Sequence, residues 1–287
     1  MEMIASAPPV HLVRCGPEGR VLTIDTAFQA RLEQPGEVPL QADLYAKEKQ
    51  TMFRRVPDAL FHPTEPYLFI ACDESLVAYD ARTMSEMWRV LPRGEHSTTL
   101  RHCVIQLAWH GSGDLLALTD TGSFCVISPR NGSYSTWSAS EVPSAFGSAL
   151  GSNQVLGTDR FNIVHLDVSE RRVLGRIPLF ERAFGFDACV ETRFVAARGL
   201  DRVSVWDVDA QACIGHFATP TGAPTVRLLP DNMVAVGGVS GVEVFTYEGD
   251  FVALLKTESP VNCLESGPEL YAGCQDGRVY SWAAVTG

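Results

Sequence analysis

The residues with the most reactive side chains are seven histidines (His11, His62, His96, His102, His110, His165 and His216) and eight cysteines (Cys15, Cys72, Cys103, Cys125, Cys189, Cys213, Cys263 and Cys274). Metal binding needs such ligands to converge, and local spacing is the usual device: two cysteines two residues apart, or two histidines a helical turn apart. No CxxC and no HExxH occurs here. Nucleophilic chemistry on an elbow needs GxSxG, and phosphate transfer on a loop needs GxxxxGK[ST]; neither is present. The glycine-rich stretch Val236-Gly237-Gly238-Val239-Ser240-Gly241 has no helix to follow it. Its amides therefore would not converge on a phosphate, and a turn is expected. No catalytic residue, metal site or cofactor is assigned.

The elements that carry these residues are β-strands. The chain has 287 residues, 46% hydrophobic and 20% charged, enough to bury a core and too apolar for disorder. A low charge content leaves much of the surface to Ser, Thr, Gly and backbone, which suits a loop-rich β protein better than a helical one. A net charge of −11 with lysine and arginine scattered in ones and twos argues against nucleic acid as the main ligand. Most cysteines stand among apolar neighbours, as in Phe124-Cys125-Val126, which fits reduced, buried thiols in the cytoplasm or nucleus. Met1-Glu2-Met3-Ile4-Ala5-Ser6 opens without a basic region or long apolar run. Neither an export signal nor a membrane span is expected.

One pattern recurs along the chain. Apolar segments begin at Val21, Leu68, Leu115, Val155, Phe194, Val234 and Leu270, with steps of 47, 47, 40, 39, 40 and 36 residues. Several end in an aspartate-bearing turn, at Asp73, Asp120, Asp159, Asp201 and Asp276. A carboxylate there can accept hydrogen bonds from turn amides, which is a folding role. Each turn leads into another apolar strand, as in Leu76-Val77-Ala78-Tyr79-Asp80, Ile163-Val164-His165-Leu166-Asp167 and Val203-Ser204-Val205-Trp206-Asp207. A period of about 40 residues is that of a four-stranded propeller blade.

Trp206-Asp207, preceded by Asp201, resembles the signature of the WD40-repeat family, and the seven-fold pattern extends that resemblance over nearly the whole chain. It implies an all-β, seven-bladed β-propeller spanning residues 1–287 as a single domain. It also implies a non-catalytic scaffold for protein–protein interactions in a multi-subunit complex. The copies are divergent: Trp-Asp occurs once in a repeat, and Gly215-His216 falls inside an expected outer strand rather than before a blade. The family's buried Asp–His–Ser/Thr–Trp network is therefore expected to be incomplete. The axis is expected to be packed with Val, Leu, Ile, Ala and Cys.

The last repeat stops after its third strand, while Val10–Cys15 reads as the inner strand of the first. Residues 2–6 are then free to supply the missing outer strand and close the ring. Two connections exceed the rhythm, an extended loop at about 36–56 and another at 92–102. Both join an outer strand to the next inner strand, so they emerge at the same face. They carry Lys47, Lys49, Arg54, Arg55, Arg93, His96, Arg101 and His102, a basic patch suited to an acidic segment of a protein partner. The plainer reading is solvated loop charge.

Other resemblances compete. Phe53-Arg54-Arg55 resembles the Phe-Arg-Arg-Gly of phosphoinositide-binding propellers, with Val56 replacing the glycine and the motif early in the ring. Asp80-Ala81-Arg82-Thr83-Met84-Ser85-Glu86-Met87-Trp88 resembles the quinoprotein propeller repeat, with Met84 in the glycine's place. It would make the chain a propeller enzyme or a quinoprotein-like repeat protein. Trp206-Asp207-Val208-Asp209 lacks the arginine by which ubiquitin-ligase receptors of the family hold their adaptor. Protein scaffolding is the reading these residues favour, with membrane and nucleic acid as unlikely partners.

Overall fold

The computed structural model describes residues 3–5, 8–44, 57–72, 75–91, 103–120, 122–138, 145–148, 152–219 and 225–283. They form seven antiparallel four-stranded sheets, the blades of a β-propeller. A short strand β1 (Met3–Ala5) precedes blade 1, which is β2 (Val10–Cys15), β3 (Val21–Asp25), β4 (Gln29–Glu33) and β5 (Leu40–Asp43). Blade 2 is β6 (Ala59–Phe61), β7 (Tyr67–Cys72), β8 (Ser75–Asp80) and β9 (Ser85–Val90). Blade 3 is β10 (Val104–Trp109), β11 (Leu115–Thr119), β12 (Ser123–Ile127) and β13 (Tyr134–Ser138). Blade 4 is β14 (Ala145–Ser148), β15 (Gln154–Thr158), β16 (Asn162–Asp167) and β17 (Arg172–Pro178). Blade 5 is β18 (Gly185–Cys189), β19 (Phe194–Arg198), β20 (Arg202–Asp207) and β21 (Ala212–Ala218). Blade 6 is β22 (Val226–Leu229), β23 (Met233–Gly237), β24 (Gly241–Thr246) and β25 (Phe251–Lys256). Blade 7 is β26 (Val261–Ser266), β27 (Glu269–Cys274) and β28 (Arg278–Ala283), completed by β1.

The ring closes as the sequence implies. Met3, Ile4 and Ala5 pair with Tyr280, Val279 and Arg278, so the two ends of the chain share one sheet.

Strand alternation explains the core. A central strand of a blade is covered on both faces, and successive residues point to opposite neighbours. In β7, Leu68, Ile70 and Cys72 pack into the seam with blade 1, while Phe69 and Ala71 pack into the seam with blade 3. In β11, Leu115 and Ala117 face blade 2, and Leu116 and Leu118 face blade 4. The continuous apolar runs at the period of the repeat are thus strands buried on two faces. Each of the seven seams holds its own apolar cluster, the last joining Val10, Val13 and Val21 to Val279.

Two turn types set the blade ends. At the turn from third to fourth strand, a strand-ending aspartate receives amides that would otherwise be free. Asp80 Oδ1 accepts from Arg82 N at 2.8 Å, Asp167 Oδ1 from Glu170 N at 2.9 Å and Asp207 Oδ1 from Ala210 N at 2.9 Å. Four residues after each aspartate the chain turns left-handed, at Met84 (φ 54°), Arg171 (φ 55°) and Gln211 (φ 51°). Met84 therefore takes the backbone conformation that the glycine of the quinoprotein-like repeat would take, at the small cost a side chain meets there. Trp88 ends that run by packing 5.8 Å from Phe69 and donating its indole N–H to Pro129 O of blade 3 at 3.0 Å. Gly132 is fitted to it, since a Cβ there would stand 2.9 Å from the Trp88 ring.

The other turns join second to third strands, at the end of the sheets where the chain also passes from blade to blade. Asp159 Oδ1 accepts from Phe161 N and Asn162 N at 2.9 and 2.7 Å. Burial alone would raise the Asp159 pKa, but these amides, Asn162 and Arg176 outweigh it and lower it. Asp120 Oδ1 accepts from Cys103 N at 3.2 Å, and Asp276 Oδ1 from Arg278 N at 3.1 Å. Asp201 uses its main-chain oxygen, which accepts from Thr219 N at 2.8 Å. Asp73 lies outside the described residues.

Trp206 is buried, and its indole N–H, like that of Trp137, has no acceptor among the described residues. Gly215 and His216 sit within the outer strand β21.

Candidate functional site

Two regions gather side chains capable of recognition. The first is the axis, and it corrects the expectation of a packed apolar channel. A cavity of about 310 Å³ there is lined by Arg14, Asp58, Gln106, Asp187, Arg227 and Glu265, among others. The innermost strands are mostly apolar, but those of six blades each supply one of these polar groups, within the strand or just before it.

These groups satisfy one another around the ring. Arg14 of blade 1 is ion-paired with Asp58 of blade 2, and its Nη1 stands 3.2 Å from Glu265 Oε2 of blade 7. The same Glu265 oxygen lies 3.2 Å from Arg227 Nη2 of blade 6, whose Nη1 is 3.4 Å from Asp187 of blade 5. Burial alone would lower the pKa of both arginines. The carboxylates of Asp58 and Glu265 outweigh it at Arg14, and those of Asp187 and Glu265 at Arg227, so both are held above the ordinary guanidinium value.

The carboxylates also reach main chain across the seams. Asp58 Oδ2 accepts from Leu107 N of blade 3 at 2.8 Å, and Asp187 Oδ2 accepts from Leu228 N of blade 6 at 2.8 Å. Gln106 of blade 3 bonds both the N–H (2.9 Å) and the C=O of Phe146 in blade 4. Asn262 of blade 7 donates to Val10 O of blade 1 at 3.1 Å. An inner strand of a blade has no further strand beside it, so its outward amides need such partners. Three carboxylates against two guanidiniums leave little free charge, and the arrangement couples the blades. Chemically it is a closed network in which each acid already holds a guanidinium.

The second region is the seam between blades 4 and 5. No comparable axial clasp joins these two blades among the described residues. Instead, Arg193 of blade 5 lays its guanidinium against His165 of blade 4, with nitrogen separations of 3.3 and 3.4 Å. Gln154 Oε1 accepts from Arg193 Nη1 at 3.1 Å and lies 3.0 Å from His165 Nε2. Burial first, and the Arg193 charge second, push the His165 pKa down, which keeps the imidazole neutral against the cation.

At the other end of this seam stand large apolar side chains open to solvent. Phe161 is 60% exposed, Phe180 59%, Phe184 53% and Leu200 71%. They occupy second-to-third strand turns and the connection from blade 4 to blade 5. Leu179 N donates to Phe161 O at 2.8 Å, Ala183 N to Arg160 O at 2.7 Å and Phe184 N to Arg198 O at 2.7 Å. These main-chain bonds hold the connection against both turns, so the four side chains stand at the same end of the seam.

The residues expected to form a basic patch, Lys47, Lys49, Arg54, Arg55, Arg93, His96, Arg101 and His102, lie outside the described residues. Sequence reasoning missed both regions above. The axial groups carried a faint signal, one polar residue within an apolar inner strand at about the blade period. The exposed phenylalanines carried another, large apolar residues at turn positions.

All eight cysteines are free. Burial pushes the Cys125 thiol up to about 12. Burial first, with Asp276 and Cys263 adding to it, does the same for Cys274. No group of three or more metal-ligating side chains occurs among the described residues, and no helix among them is long and apolar enough to cross a membrane.

No protein-family profile matches the chain, and no curated protein does. Solved structures do. A chain from the crystal structure of a mitotic checkpoint complex superposes with a TM-score of 0.77 at 10% identity, covering 99% of this chain and 91% of that one. The Pan2 WD40 domain of Neurospora crassa gives 0.76 at 12% identity, covering 99% of this chain and 94% of that one. At such identities the likeness carries the fold, which is that of WD40-type seven-bladed β-propellers.

Proposed function

We propose that this WD40-type propeller is a non-catalytic scaffold that holds other proteins together in a multi-subunit assembly. One observation supports it above others: the large exposed apolar side chains of the blade 4–5 seam stand on a ring whose axial charges are already paired with each other. An exposed apolar patch of that kind often marks a site of protein–protein contact. The fold by itself hosts many functions and does not choose among them.

On this reading residues 1–287 act as one unit, and the connections that follow β5 and β9 add contact surface. Eight free thiols fit the cytoplasm or nucleus. A charge of −11 favours protein partners over nucleic acid or anionic membranes. Purification of the tagged chain from its own cells, with native mass measurement, tests the proposal. A stoichiometric set of co-purifying proteins is expected, and a monomer arriving alone would overturn it.

A further inference from the structure

We infer that the blade 4–5 seam is a docking site for a short peptide of a partner protein, bearing a large apolar anchor flanked by carboxylates. This rests on the scaffold reading and adds the place and the chemistry of one partner.

The size of the surface selects the kind of occupant. With about 200 Å² for a whole aromatic side chain, the exposed parts of Phe161, Phe180, Phe184 and Leu200 amount to about 450 Å². A stable interface between folded proteins, including a second copy of this chain, takes about 800 Å² from each side. The patch is about half of that, which suits a peptide of a few turns or a short extended stretch. A cleft of about 270 Å³ opens beside it, lined by Ala145, Arg160, Arg182, Ala183, Phe184 and Phe186 among others. An apolar anchor entering there would lie on the alanines and phenylalanines, with the two arginines beside it.

Charge then selects the composition. Arg160, Arg182 and Arg202 are exposed, and none makes an ion pair among the described residues. The Arg182 guanidinium lies 5.2 Å from the Phe184 ring centroid, which orients it over the apolar surface. The carboxylates nearby are Asp159, Glu181 and Asp201. Asp159 is engaged by its own turn and by Arg176 at 3.5 Å. Glu181 is folded over Gly199, where a Cβ would stand 2.0 Å from it. Asp201 is exposed, so the three guanidiniums, none ion-paired among the described residues, outnumber the one carboxylate left to solvent by its own turn, and on a chain of charge −11 they complement an acidic segment. The platform is firm underneath, since the Phe180 ring packs at a tilt 5.0 Å from Trp206 and 4.8 Å from His216.

The probe is a phage-displayed library of random 16-residue peptides, selected on the purified full chain. Enriched peptides are expected to carry Phe, Leu, Ile or Trp beside Asp or Glu. A synthetic copy is expected to lose at least tenfold affinity for Phe161→Asp/Leu200→Asp and about fivefold for Arg160→Glu/Arg182→Glu. These are exposed turn and connection residues, and an unchanged thermal midpoint confirms that each variant folds. No enrichment, enrichment of basic peptides, or unchanged affinity in both variants overturns the inference. So does a dimer, seen by sedimentation, that either variant dissociates. In cells, a Phe161→Asp/Leu200→Asp chain that keeps every partner refutes the docking site while leaving the scaffold standing. A wild-type chain without partners refutes the scaffold itself.

Discussion

Removing the carboxylate of Asp58 tests whether the axial network couples the blades. Asp58 is 3% exposed. Its Oδ1 takes Arg14 Nε at 3.1 Å and Ala59 N at 2.8 Å, and its Oδ2 takes Leu107 N at 2.8 Å. Asp58→Ala therefore leaves two main-chain amides without their acceptor, at about 1–2 kcal/mol each. It also takes one of two carboxylates from the Arg14 guanidinium, which is part-buried with a side chain 17% exposed; breaking a fully buried pair typically costs about 3–5 kcal/mol in all. The adjoining axial cavity can admit water to the orphaned groups, so the lower half of that range is expected, about 3–4 kcal/mol. For a domain of this size that is a fall of roughly 6–15 °C in thermal midpoint. Asp58→Asn keeps one acceptor oxygen and is expected to cost about half as much. Asp120→Ala, which removes an exposed turn carboxylate, serves as the comparison at about 1 kcal/mol. Scanning calorimetry with urea titration measures all three. An Asp58→Ala chain that folds and melts within 2 °C of wild type would show that the network adds no net stability.

Three further outcomes follow from the same structure. Deleting residues 1–8 removes the pairing of β1 with β28 and opens the edge of blade 7; a loss of about 3 kcal/mol is expected, and a truncated chain melting like the full one would refute the clasp. The His165 pKa is depressed in the folded state relative to about 6.5 unfolded. Its contribution is therefore complete above pH 6.5 and declines as pH falls toward the folded value. Urea midpoints at pH 7.5 and 5.5 are expected to fall more for wild type than for His165→Gln, and equal falls would remove His165 from the seam's pH response. Trp206→Phe is expected to cost only about 1–2 kcal/mol, since its indole N–H has no acceptor to lose among the described residues. Trp88→Phe also gives up the bond to Pro129 and is expected to cost about 1 kcal/mol more, a ranking that denaturant unfolding of the two variants checks.

Much of the scaffold was legible in the residues. The seven apolar segments beginning at Val21, Leu68, Leu115, Val155, Phe194, Val234 and Leu270 all lie in second strands of blades. Their regularity arises because each such strand is buried on two faces, which forces continuous apolar runs at one period. The need for a closing strand was also visible, because a repeat that ends one strand short leaves an open edge. Asp159 was legible as a turn carboxylate for a local reason: the amides it accepts from lie only two and three residues along the chain.

The axis was not legible. Arg14 and Glu265 are 251 residues apart, and nothing local marks them as partners. Alternation predicts a direction only while the register holds. Irregularities between Val10 and Leu12, Val104 and Gln106, and Val261 and Cys263 shift the phase in the inner strands of blades 1, 3 and 7. Whether Arg14, Gln106 or Asn262 faces the axis or a seam is therefore decided by the pairing of strands. The same holds for Phe161, Phe180, Phe184 and Leu200, which are unremarkable turn residues until ring closure sets blade 4 against blade 5. Periodicity is a one-dimensional property of the chain and specified the blades; convergence of distant side chains is a property of the closed ring, and only the tertiary structure decided it.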